Sequence, residues 1–326
     1  MKSLRNSLAK VGIKPPFSVP SGFQTHPKRL KEMIRIMNLP EPDINALQHR
    51  KVCDFAENDA QGLTYAYGNI WFLSSTENIF KYSIEGTDLY NPDKVCRLKK
   101  KSLSDLNRET DLDKQFCHCS DIDYFDGLTF VIVRYGGDDP PYLLLALSEN
   151  LEVVGYSWLS PETGDSWCAI SPWNGLLYTP SDQNAHLLIP YDVSEFYKVL
   201  PYPHKWGKRV NINLKEKGFI LRKEDGSLDD EVNSHQGIAF SQNGRLYITR
   251  YNGNGPWYNY IHIYNALTGV RLGVSEEYDF PDFWDEIEGI SIHPTGIIYI
   301  AVAINQNIFT DRFQIYGFKY PDSSPV

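Results

Sequence analysis

The sequence predicts an all-β protein, a five-bladed β-propeller preceded by a short helical extension. Three observations lead there. A strand–turn–strand pattern recurs five times along the 326 residues. Each copy is followed by one or two further candidate strands. No amphipathic helix of ten or more residues separates them, as a parallel α/β sheet would require.

The copies read NDAQGLTYAYGNIWFLS (58–74), CHCSDIDYFDGLTFVIV (117–133), GDSWCAISPWNGLLYTP (164–180), NSHQGIAFSQNGRLYIT (233–249) and DEIEGISIHPTGIIYIA (285–301). Aligning Gln61, Ser120, Trp167, Gln236 and Glu288 puts Gly68, Gly127, Gly175, Gly244 and Gly296 seven or eight positions later. Glycine there supplies the positive φ of a tight hairpin, often beside an Asn or Asp such as Asn69, Asp126, Asn174 or Asn243. The copies begin 59, 47, 69 and 52 residues apart, lengths that suit a four-stranded blade with variable loops. A lone hairpin cannot bury its apolar face, and radial packing of sheets solves that and the open-edge problem together.

Third strands are expected at 78–84, 142–148, 186–192, 260–266 and 312–319, and fourth strands at 151–159, 218–224 and 270–276. The stretch 192–232 is long enough to hide a degenerate sixth blade. The strand HRKVCDFAE (49–57) is expected to complete the last blade and close the ring, so that 49–326 forms the propeller. Residues 1–48 form a separate arm, in which Leu30, Met33, Ile34 and Met37 lie at helical spacing between Pro27 and Pro40. That helix is expected to pack on the propeller, and the arm also offers a surface for a protein partner.

The composition is that of a globular chain, 42% hydrophobic and 22% charged, with 21 Tyr, 16 Phe and a net charge of −9. Nucleic acid is excluded as the main partner, because neutralising phosphates needs a basic face. The charge is uneven, however: residues 1–51 hold ten Lys or Arg against three acids. The five cysteines, Cys53, Cys96, Cys117, Cys119 and Cys168, make a poor disulfide framework and are expected to be reduced. Cys117 and Cys119, two apart on one strand, are expected to point the same way. There is neither a signal-type apolar run near the start nor a window of membrane-span length, so a cytoplasmic protein is expected. Motifs for nucleotide cofactors, the nucleophile elbow and helical zinc sites are absent.

SHQGIAFSQNGRLYIT and EIEGISIHPTGIIYIA resemble the strand–turn–strand unit of the superfamily that holds NHL-repeat, gluconolactonase and related calcium-dependent lactonase propellers. The resemblance covers two blades well and three loosely. It implies a propeller whose axial carboxylates and amides hold a metal, and here Glu288-Gly289 matches the Glu-Gly piece while Gln236 stands where an Asn is expected.

In a propeller the inner strands start near the axis, so residues just ahead of each first strand converge on one mouth. That places Asp59, Gln61, His118, Ser120, Asp121, Asp165, Trp167, His235, Gln236, Glu286 and Glu288 together. His118, His235 and Glu286 are the candidate acid–base groups. Glu288, Asp121 and Asp59 are the candidate oxygen ligands for calcium or another divalent cation. Glu286 and Glu288, two apart, are expected to face the same way, and His293 is expected to be a surface turn residue. Gln61, Trp167 and Gln236, with Trp257 and Tyr258 of the irregular loop 250–264, are the candidate ligand contacts. The resulting reading is a small-molecule-binding propeller, with divalent-cation-dependent hydrolysis of an ester or lactone as its enzymatic form. The alternative is a non-catalytic propeller that recognises carbohydrate or a protein partner through its rim loops.

Overall fold

The computed structural model describes residues 48–55, 60–136, 141–164, 167–182, 184–199, 207–215, 218–230, 235–251, 259–278, 280, 286–305 and 311–319. The arm 1–47 with its expected helix, and Asp59, Asp165, Trp257, Tyr258 and Asp285, lie outside the described residues. Five antiparallel sheets stand around one axis. Blade 1 is β2 (Ala60–Ala66), β3 (Ile70–Ser75), β4 (Asn78–Glu85) and β5 (Lys94–Ser102). Blade 2 is β6 (Phe116–Phe125), β7 (Leu128–Tyr135), β8 (Tyr142–Leu147) and β9 (Val153–Trp158). Blade 3 has β10 (Ala169–Ile170), β11 (Leu176–Pro180) and β12 (Leu187–Asp192); blade 4 has β16 (His235–Phe240), β17 (Arg245–Tyr251), β18 (Asn259–Asn265) and β19 (Arg271–Val274). Blade 5 is β20 (Glu286–Ile292), β21 (Ile298–Asn305) and β22 (Asp311–Lys319), and its outer strand is β1 (Gln48–Phe55), paired antiparallel from Gln48↔Lys319 to Phe55↔Phe313.

The stretch after β12 is not a sixth blade. After α2 (Ser194–Lys198) it sends β13 (Lys208–Arg209) back to the edge of blade 2, parallel to β9, where Gly155 leaves room for the Lys208 carbonyl. It then supplies two short outer pieces to blade 3, β14 (Asn213–Leu214) and β15 (Phe219–Ile220), both paired to β12. The expected strand 218–224 is therefore reduced to two residues. The sequence reading also missed β5 and the helix α1 that follows it (Leu103–Arg108), which a Ser102–Asp105 capping box starts. Sequence KVCRLKKKS shows no apolar alternation because β5 is an exposed edge, and Lys on an edge strand discourages pairing with other chains.

The five turn glycines all have positive φ, between +68° and +96°, and Asn69 and Asp126 share that conformation. Asp126-Gly127 thus forms a two-residue turn whose twist matches the flanking strands, while Gly68 and Asn69 close a three-residue turn with Tyr67 between Ala66 and Ile70.

Five apolar clusters fill the five gaps between blades. One strand serves two gaps by alternation: Tyr299 and Ala301 of β21 pack with Trp71 and Leu73 of blade 1, whereas Ile298, Ile300 and Val302 pack with Ile261 and Ile263 of blade 4. Strands buried on both faces read as near-continuous apolar runs, which is why FVIV and LLLAL carry no polar face.

At the axis the packing changes from side chain to backbone. A Cβ on Gly237 would lie 2.9 Å from the Gly289 Cα, one on Gly289 2.6 Å from the Gly62 Cα, and one on Gly62 2.6 Å from the Asp121 Cα. Blades 4, 5, 1 and 2 therefore meet backbone to backbone at one repeat position. Substituting Gly289→Ala should cost on the order of 3 kcal/mol, because only main-chain atoms are there to yield. Gly296→Ala meets open space and bears only the positive-φ penalty of about 1 kcal/mol. Urea denaturation of both variants measures this, and an equal or smaller loss at Gly289 would contradict the close approach.

Candidate functional site

Four inner strands carry a β-bulge at the same repeat position. The pairing register slips across Gln61 in β2, Ser120-Asp121 in β6, Gln236 in β16 and Glu288-Gly289 in β20. A bulge leaves its extra residue out of the ladder and re-aims it, and bulges concentrate at barrel rims and active sites. Two junctions between blades are fastened at this level. Ser74 Oγ, opposite Gly62, donates to the Ser120 carbonyl at 2.6 Å, and Thr249 Oγ1, opposite Gly237, donates to the Glu288 carbonyl at 3.0 Å.

Asp121 occupies the position that is glycine in blades 1, 4 and 5. Its carboxylate is buried at the axis, and Oδ1 accepts the Ile122 amide at 2.8 Å. Burial raises its pKa well above the usual carboxylate value, although the amides of Ile122, Ile238 and Leu63 oppose the shift. Cys168, at the same position in blade 3, lies with its thiol 3.8 Å from the Asp121 carbonyl.

Two residues further along is a second polar level. Ser291 accepts the Tyr65 amide at 2.7 Å, Thr64 accepts the Tyr124 amide at 3.0 Å, and Asp123 Oδ2 accepts the Ile170 amide at 2.6 Å. Thr64 also donates to Asp123 Oδ1 at 3.0 Å, so Asp123 ties blades 1, 2 and 3 together. Although the residue keeps some surface, its carboxyl group is enclosed. Burial raises its pKa to about 6 against these hydrogen bonds.

The mouth lies on the N-terminal side of the glycine collar. Gln61 and Gln236 are half-buried there, and Gln236 Nε2 donates to Glu286, tying blade 4 to blade 5. Glu288 is buried. Trp167 is fully buried, 5.8 Å between ring centroids from His235. His118 is half-buried on β6, opposite Arg134. His235 is buried, and desolvation first, then the His262 and Arg250 charges, holds its pKa well below the usual imidazole value. The imidazole is therefore neutral at pH 7.

Some orientations differ from expectation. The bulge between Ile287 and Ile290 interrupts the alternation that would align Glu288 with Glu286. A bulge at Cys117 likewise separates the two cysteines of β6: Cys117 is exposed and Cys119 buried, and all five cysteines are free. His293 is buried rather than superficial. Its Nδ1 meets Thr295 Oγ1 at 2.6 Å and its ring packs edge-on to Tyr65 at 4.3 Å.

Sequence reasoning missed Asp123, Arg250 and His262. Asp123 was visible as an acid at an alternation position that is Thr64 and Ser291 in other copies. Arg250 is the cross-strand partner of His235, which repeat alignment of second strands would have found. Among the described residues no three His, Cys, Asp or Glu side chains are placed to hold a metal ion. Four buried polar atoms around the mouth and axis, Ser120 Oγ, Asp121 Oδ2, Trp167 Nε1 and His235 Nε2, have no hydrogen-bond partner among them.

No known family profile and no curated protein sequence matches the chain. Among solved structures it superposes on the tail fiber of Staphylococcus aureus phage P68 with 14% identity and TM-score 0.51, over 90% of this chain and 57% of that one. A bifunctional GH43-CE protein of Bacteroides eggerthii aligns with 14% identity and TM-score 0.51, over 83% of this chain and 34% of its own. RS223 β-xylosidase aligns at 11% identity and TM-score 0.49, over 86% of this chain and 98% of that one. The chain thus spans little more than half of the first and a third of the second. Such identities speak to fold.

The enclosed Asp123 makes a stability prediction with a definite sign. Between pH 4 and 6 the unfolded carboxyl ionises while the folded one resists, so its contribution falls as pH rises, by up to ~3 kcal/mol for a shift of about two pKa units. Asp123→Asn removes that slope, and the variant should gain on wild type from pH 4 to 6 and then level off toward pH 7. Denaturation across that range tests it, and parallel curves would contradict it.

Proposed function

We propose that the protein binds a small polyhydroxylated ligand, a carbohydrate by class, at the mouth where the inner-strand bulges gather. The observation that carries this reading is the set of polar bulge residues around one axis, beside buried polar atoms that lack partners. Leaving buried donors and acceptors unmade costs about 1–3 kcal/mol each, a cost that a ligand presenting hydroxyls would remove. The Gln61 and Gln236 amides and the Glu286 carboxylate suit vicinal hydroxyls, because each offers two polar atoms in one plane. The fold alone does not assign a ligand.

A second reading, hydrolysis of a small ester or lactone at the same mouth, is favoured by one observation. His235 is held neutral with Nε2 unpartnered, so it has a lone pair or a proton to offer a reacting group. Of the residues expected to hold a cation, Asp121 turns Oδ1 to the Ile122 amide and Asp59 lies outside the described residues.

Thermal shift across a panel of mono- and oligosaccharides tests the binding reading. A sugar that stabilises wild type should bind Gln236→Ala and Glu286→Gln about tenfold more weakly, the effect of one lost hydrogen bond. Both side chains are half-exposed, so both variants should fold. A panel without any stabilising sugar, or variants that bind like wild type, would overturn it. Turnover of a lactone panel that Glu286→Gln retains and His235→Gln loses would decide for hydrolysis.

A further inference from the structure

One side of the mouth differs chemically from the rest. On the blade 3 face of blade 4, His235 of β16 pairs across the ladder with Arg250 of β17, and the buried His262 of β18, opposite Ile248, lies further along the same face. Trp167 of blade 3 covers His235. Among the described residues, three nitrogens in this corner lack a hydrogen-bond partner: Trp167 Nε1, Arg250 Nε and His235 Nε2. The first two only donate, and the third takes either role with its tautomer. Trp167 has no exposed surface and His235 only 6%, so neither nitrogen is satisfied by bulk solvent.

The charge balance points the same way. Among the described residues, the groups whose charges act on His235 are His262 and Arg250, both of basic type, with no carboxylate among them. The next arginine on this blade is treated quite differently: Arg271 pairs with Glu224 at 2.7 Å and with the buried Asp229 at 3.2 Å. Its partners fill its fork, whereas Arg250, whose charge acts on both His235 and Tyr264, has Nε unmade. Among the described residues, the carboxylates of the mouth, Glu286 and Glu288, stand on the other side, on blade 5, and Gln236 turns its amide toward Glu286. Among them the mouth is therefore polarised, with donors on the blade 3–4 side and acceptors on the blade 5 side.

We infer that the corner formed by Trp167, His235 and Arg250 holds an anionic oxygen group of the ligand, a carboxylate or a phosphate, so that the ligand class is an acidic sugar. This rests on the mouth-binding reading and narrows it. An oxyanion accepts from the indole and guanidinium N–H groups at once, and charge-assisted bonds of this kind are about twice as strong as neutral ones. The hydroxyls of the same molecule would then face Gln236 and Glu286. A neutral sugar would leave the corner's donors unmade.

The test uses the full-length protein labelled with 15N and titrated at constant ionic strength with inorganic phosphate, acetate, glucose, glucose 6-phosphate and glucuronate. The Trp167 indole resonance, assigned by its loss in Trp167→Phe, is the reporter. The inference expects a saturable shift with at least one of the acidic probes and none with glucose. Phosphate and glucose 6-phosphate acting alone would identify a phosphate group, and acetate and glucuronate acting alone a carboxylate. Arg250→Gln should weaken that binding at least tenfold, and it serves as the variant of record if Trp167→Phe does not fold. Silence of the indole with every acidic probe, or Arg250→Gln binding like wild type, would overturn the inference. Should glucose still perturb Gln236 in that case, the mouth reading stands and only the acidic class falls; silence at Gln236 with every sugar fells both.

Discussion

Everything at the centre of this protein follows from how closely the inner strands approach one another. Apolar side chains between blades would hold the sheets apart by their own bulk, yet at Gly237, Gly289 and Gly62 the backbones touch. Only the absence of a Cβ permits that, and it draws the N-terminal ends of the inner strands into one collar. The bulges at the same level are the counterpart of this approach. A strand forced inward at one residue loses register there, and the residue beside the glycine is turned out of the ladder toward the mouth. Structure and candidate site are thus two results of one packing constraint.

Stability and function are separated along the radius. Away from the axis, five apolar clusters hold the blades together with ordinary side-chain packing. Near the axis, side chains are replaced by hydroxyls, amides and carboxylates that bind the neighbouring blade's backbone: Ser74, Thr249, Thr64, Ser291 and Asp123. Enclosing Asp121 and Asp123 costs desolvation free energy, seen in their raised pKa values, and backbone amides offset part of it. Among the described residues, unpartnered buried atoms remain around the mouth and axis at Ser120, Asp121, Trp167, His235 and Arg250.

Much of the fold was legible because the repeat is written in turn chemistry. Five glycines at an offset of seven or eight, with Asn69 and Asp126 beside two of them, needed positive φ and have it. What escaped were elements without local signal. Strand β5 is a charged edge with nothing to alternate, and β13, β14 and β15 are two-residue pieces recruited by tertiary contact with β9 and β12. The site was legible as a set of positions rather than as orientations. Repeat alignment brought Gln236, Glu286, Trp167 and His235 to one region, but simple alternation could not foresee bulges that turn Glu288 relative to Glu286 or Cys117 relative to Cys119. Arg250 and Asp123 escaped because they lie one strand over or two residues on from the aligned position.

The central claim is that residues far apart in sequence form one ligand-binding mouth. Gln61 in blade 1 and Gln236 in blade 4 stand on bulges of different strands, 175 positions apart in the chain. The most direct measurement follows the side-chain amide resonances of both glutamines while a stabilising sugar is titrated. The account predicts that both shift together with a single dissociation constant, accompanied by the backbone amides of Gly62, Gly237 and Gly289. Shifts confined to the turn face around Gly68 and Gly296, or to the outer strands β5 and β19, would place the ligand elsewhere and contradict it.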